Sequence, residues 1–115
     1  MNWNKIESQD QLEAALEKSK ENPVVIFKHS TRCSISAVAL NRLERQWDDS
    51  AEKVSPYYLD LIRYRSISDE IAQKLEIPHE SPQMLIIQDG KCIDESSHFS
   101  ISFDTIKEVS RSLSV

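Results

Sequence analysis

Val24-Val25-Ile26-Phe27 places four apolar residues in a row and leaves no side for water. A β-strand points alternate residues to opposite faces, so this strand must be covered on both faces, as in the middle of a sheet. The rest of the chain has to supply the covers. Upstream, Ser8-Gln9-Asp10-Gln11 reads as a capping box that opens a helix, with Leu12, Ala15, Leu16 and Ser19 on its inner face. Glu21-Asn22-Pro23 closes it, because proline disfavours the helical conformation in the residue before it. Downstream, a second helix is expected over residues 34–47, with Ile35, Ala39, Leu43 and Trp47 repeating at i, i+4.

The pattern then repeats. Lys53-Val54-Ser55-Pro56 is a break, and Tyr57-Tyr58-Leu59-Asp60-Leu61 reads as a second core strand. Ser66 or Ser68 caps a short third helix with Ile71, Ala72 and Leu75 inward. Residues 77–82 form a loop with two prolines, and residues 83–88 a further strand. Asp89-Gly90, which holds the single glycine of the chain, is a hairpin signal that returns residues 91–95 as a fourth strand. A last helix starts near Ser102 and turns Phe103, Ile106, Val109 and Leu113 inward. Strands separated by helices imply a parallel pair with right-handed crossovers, and the hairpin adds antiparallel strands. The expected fold is α/β: one domain over residues 1–115, a central four-stranded mixed sheet, and helices on both faces.

Composition narrows the function classes. With 29% charged residues and a net charge of −5, the chain lacks the basic surface that nucleic-acid binding needs. No apolar run approaches the roughly 20 residues of a membrane span. The first residues lack the basic start and apolar stretch of a signal peptide, so the cytoplasm is the expected compartment. Two cysteines in that compartment are not expected to form a structural disulfide. With three histidines they are too scattered for a closed zinc site, and no metal is expected.

Chemistry concentrates in Lys28-His29-Ser30-Thr31-Arg32-Cys33-Ser34-Ile35-Ser36. Cys33 falls where the first core strand turns into a helix. Unpaired N–H groups and the positive end of the helix dipole there favour thiolate over thiol, and thiolate is the reactive form. Ser36 stands three residues on, where a C-x-x-C motif has its second cysteine. It is read either as a hydrogen-bond donor to the thiolate or as an ordinary first-turn serine. Arg32 either attracts an anionic small thiol or is a solvated surface charge. His29 forms an imidazole pair with the thiolate or is a packed, hydrogen-bonded residue at a strand end. His79 and His98 line the cleft or are solvated loop residues. Pro82 opens a strand in trans or sits in a cis turn, since cis bonds are essentially confined to X-Pro. Cys92 lies past the hairpin turn, about 20 Å along six strand residues from Pro82, and is read as a packing residue.

The element order, with a thiol after the first core strand and a proline before the hairpin strand, resembles the thioredoxin fold. His29-Ser30-Thr31-x-Cys33-x-Ile35-Ser36, His79-Glu80-Ser81-Pro82 and Ser97-His98-x-x-Ile101 together resemble the monothiol bacilliredoxin (YtxJ-like) family. The resemblance implies a cytoplasmic thiol–disulfide oxidoreductase with no bound cofactor, which uses bacillithiol as co-substrate and acts on S-thiolated client proteins. It implies Cys33 as the attacking thiol and Ser81-Pro82 as a cis-proline loop whose backbone pairs with the bound disulfide. Thr31, Arg32, Ser34, Ser36, Ser81 and Pro82 are then the substrate-contacting residues. The family usually carries proline directly after the cysteine, and here Ser34 stands in its place. Three other functions fit parts of the pattern. They are a monothiol metal or iron–sulfur binder, a catalytically silent binding module, and a peroxide reductase built on Thr31 and Arg32.

Overall fold

The computed structural model describes residues 2–112. Its sheet has five strands: β1 (Asn4–Lys5), β2 (Val24–His29), β3 (Ser55–Asp60), β4 (Gln83–Gln88) and β5 (Lys91–Ser97). Their order is β1-β3-β2-β4-β5. The strand with no polar face is therefore the central one, and all six of its residues are buried. β2 runs parallel to β3 and antiparallel to β4, and β5 returns antiparallel on β4. The helices are α1 (Gln9–Lys18), α2 (Ser34–Gln46), α3 (Arg65–Leu75) and α4 (Phe103–Ser112).

Strand alternation sorts the core into two layers. Val24 and Ile26, with Leu59, Leu85 and Ile87, pack against Leu12 and Ala15 of α1 and Ile67 and Ile71 of α3. Val25 and Phe27, with Met84 and Ile86, pack against Ala39 and Leu43 of α2 and Phe103 and Ile106 of α4. Each such side chain contributes about 1.5–3 kcal/mol over its exposed state, which is what holds a helix on either face.

Several boundaries correct the sequence expectation. The sheet has five strands rather than four. β1 is two exposed polar residues joined to β3, and carries no periodicity to read. β3 begins at Ser55 and takes Pro56 into the ladder opposite Val25, because Pro56 stands next to the short outer strand. β5 continues to Ser97. Neither Ser66 nor Ser68 caps α3. Tyr64 holds that position and Ser68 lies inside the helix, fully buried. The inner face of α2 starts at Ser36 and not at Ile35, which is 36% exposed. Trp47 is the residue that ends α2. The Ser8 hydroxyl accepts from Gln11 N–H, as a capping box requires, but the Gln11 side chain accepts from Glu7 N–H instead of Ser8. Gly90 has φ +74 and Asp89 φ 54, the left-handed pair of a tight hairpin, and Gly90 N–H donates to Ser19 Oγ on the end of α1. Leu113 lies outside the described residues.

Candidate active site

β2 ends at His29, and a three-residue turn leads to Cys33, which is the N-cap of α2. The Cys33 backbone is extended (φ −115, ψ 120), and its N–H donates to the Ser30 carbonyl at 3.1 Å. Its carbonyl accepts from Ala37 N–H, the first bond of the helix, while its side chain makes no capping hydrogen bond. The half-buried sulfur thus stands at a helix start, next to N–H groups that have no partner within the helix. Thr31, Arg32 and Ser34 around it are exposed.

Ser36 is fully buried. Its Oγ accepts from Ser30 N–H at 3.0 Å and lies 2.7 Å from His29 Nδ1. The serine in the second-cysteine position is therefore a brace behind the turn. His29 is the packed, hydrogen-bonded residue of the two alternatives. It is 8% exposed, with its ring 5.7 Å from that of Tyr58. Burial holds it below the usual histidine range, against the pull of Asp60 and Glu44. Ser36 Oγ therefore joins the Ser30 backbone and the His29 ring in one buried hydrogen-bond network.

The Ser81–Pro82 bond is cis. Lys28 pairs with Gln83 across the β2–β4 ladder, so residues 81–82 sit at the end of the sheet from which Cys33 departs. Pro82 is buried and Ser81 half-buried. His98 borders this loop from the far side of the hairpin. Its N–H donates to the Pro82 carbonyl at 3.1 Å, and its Nε2 lies 3.6 Å from a Glu80 carboxylate oxygen. Its backbone is left-handed, with φ 53. His79 turns inward instead: its Nδ1 is 3.4 Å from Lys28 Nζ and 3.4 Å from Ser68 Oγ.

Cys92 pairs with Ile87, and Ile87 with Val24, at the opposite end of the sheet. Both cysteines are free thiols. Burial pushes the Cys92 thiol up, and its Sγ donates to the Asp94 carbonyl at 3.2 Å. One thiol alone therefore serves the Cys33 end of the sheet. Three exposed apolar side chains share that end: Ile35 on α2, Ile62 after β3 and Phe99 after β5, the last 73% exposed.

Two residues at the site escaped the sequence reading. Lys28 has no exposed surface, and burial pushes its amine down to about 8, with Asp69 opposing and Arg65 adding to the shift. Gln83 is also fully buried, and its Nε2 donates to the Pro78 carbonyl and to Glu95. The signal for Lys28 was available, since a strand buried on both faces buries its fifth residue too.

Solved structures carry the same fold. A structure provisionally described as an oxidoreductase with a thioredoxin fold matches with a TM-score of 0.79 and 31% identity, over 92% of this chain and 91% of that one. Thioredoxin from Malassezia sympodialis matches with a TM-score of 0.79 and 20% identity, over 95% and 91%. Thioredoxin from Fasciola hepatica matches with a TM-score of 0.69 and 17% identity, over 95% and 97%. The fold is thioredoxin-like and the class is that of thiol oxidoreductases. Within it, the profile of the monothiol bacilliredoxin BrxC matches residues 4–106, and the chain belongs to that family.

Proposed function

We propose that this protein removes a low-molecular-weight thiol from mixed disulfides on client proteins, with Cys33 as the sole exchanging thiol and bacillithiol as the small thiol. The Cys33 thiolate attacks the small thiol's sulfur in the client disulfide. The client–thiol S–S bond breaks, a Cys33–small-thiol disulfide forms, and the client sulfur leaves as thiolate and takes a proton. The client is reduced and Cys33 oxidised in the same step. A second small thiol then attacks the Cys33 disulfide, leaves as the symmetric disulfide and returns Cys33 to the thiol. Thr31, Arg32 and Ser34 flank the reacting sulfur in this reading, and residues 81–82 receive the client backbone. The exposed Ile35, Ile62 and Phe99 suit a protein client better than a free small molecule. The compartment is the cytoplasm, where such thiols stay reduced.

The observation that carries the reading is the lone thiol: Cys33 begins α2, Ser36 replaces a resolving cysteine, and Cys92 belongs to the other end of the sheet. Intact mass spectrometry after incubation with an S-bacillithiolated model protein tests it. Wild type and Cys92→Ser gain the mass of one small thiol and release reduced client, while Cys33→Ser does neither. Transfer surviving in Cys33→Ser would overturn the assignment, and a glutathionylated client consumed faster would change the co-substrate.

A further inference from the structure

A lysine with no exposed surface, one residue from the end of the central strand, has no part in the exchange step. Lys28 shares the α1–α3 face with Val24 and Ile26; its Nζ donates to the Ser68 carbonyl at 3.3 Å and lies 3.4 Å from His79 Nδ1, which is also 3.4 Å from Ser68 Oγ. Gln83 sits directly across the ladder on the same face, and its Oε1 is buried without a hydrogen-bond partner among the described residues. His79 in turn belongs to the loop that leads into Ser81 and Pro82. The cluster therefore ties the loop, α3 and the central strand together at one buried point.

We propose that Lys28 is a positioning residue for the substrate loop: its amine holds the His79 ring inward and so fixes the segment carrying Ser81 and Pro82 at the Cys33 end of the sheet. The inference rests on the reading of that end as a thiol-exchange site. The contact requires a bare Nδ1, hence a neutral imidazole. A protonated His79 carries hydrogen on both ring nitrogens and would set two cations together. The groups facing the ring are Lys28 from β2, Arg65 and Asp69 from α3, and Glu80 from its own loop. Burial, Lys28 and Arg65 outweigh the two carboxylates and hold His79 below the usual histidine range. Acid therefore releases the ring and loosens the loop, and the loss is one of substrate affinity rather than of Cys33 chemistry.

The test measures KM and kcat against pH for an S-thiolated model protein, and follows the His79 ring by NMR in the absence of substrate. His79→Ala should raise KM about tenfold, the scale of one lost hydrogen bond to a charged donor, with kcat near that of wild type. His79→Gln keeps a carbonyl for Lys28 to donate to, so it should regain most of the affinity, and it should lack the acid rise in KM that wild type has. Lys28→Met should raise KM and move the His79 titration to higher pH. Where Lys28→Met does not fold, the two His79 variants decide. An unmoved His79 titration in Lys28→Met, or Gln no better than Ala, with wild-type turnover intact, removes this inference and leaves the exchange reaction standing. No turnover in wild type removes both.

Discussion

Cys33 and Ser36 occupy the two positions of a redox motif, and they differ in kind. Cys33 is half-buried with its side chain outside the capping network, whereas Ser36 is a fully buried hub for His29 and Ser30. Replacing Ser36 by Ala strands a buried N–H and a buried imidazole nitrogen at once. The expected cost is about 1–3 kcal/mol of unfolding free energy, read as a lower urea midpoint, because unsatisfied buried polar groups forfeit their full desolvation penalty. An unchanged midpoint would mean that the turn is held by other contacts. The residue types at this site were legible from the motif. Their division into one reacting and one bracing side chain was not, because burial is decided by which side of the helix start meets His29.

At the scale of the element, α2 matters most, since its first turn carries the sulfur. Ser34 is its first residue, where the resembled family usually has proline. The N–H of that residue has no partner within the helix, so proline gives up nothing there. Cys33, the residue before it, is already extended at φ −115 and ψ 120, the conformation that a following proline demands. Ser34→Pro should therefore stabilise the fold by about 0.4–1 kcal/mol, by restricting the unfolded chain. Paired urea titrations check this, and destabilisation would show that the Ser34 backbone or hydroxyl is in use. Helix interiors and hairpin turn were plain in the sequence because periodicity and Asp89-Gly90 report them directly. The start of α3 lies ahead of the serines that signal a cap, since Tyr64 holds the N-cap and Ser68 is buried a turn inside. β1 was missed because two polar residues carry no pattern and owe their pairing to the neighbouring edge of β3.

For the whole molecule, the buried His29 and the half-buried His79 make stability depend on pH. Burial lowers the proton affinity of His29 and of His79 in the folded chain relative to the unfolded chain, whose value is about 6.5. Below that pH the unfolded state binds more protons, so unfolding takes up protons and stability falls as pH falls. The contribution is whole above about pH 6.5 and is lost progressively beneath it, above the range where carboxylates titrate. The urea midpoint should be lower at about pH 5.5 than at about pH 7.5, and the difference should shrink in His79→Gln. A midpoint that is flat across this window would mean that both rings are solvated when protonated without cost. Among the described residues no helix is long and apolar enough to cross a membrane.

The sequence by itself determined the α/β class, the central place of Val24 to Phe27, the hairpin and the thiol at a strand-to-helix turn. Each of these follows from local pattern: an apolar run, a turn dipeptide, a residue type at a junction. The tertiary structure alone decided which groups meet across the sheet. Cys92 lies at the far end of the ladder, His29 reaches Ser36, and Lys28 meets His79 across 51 positions of chain. Such contacts depend on strand register and on which face each residue takes, and a one-residue slip would exchange every one of them.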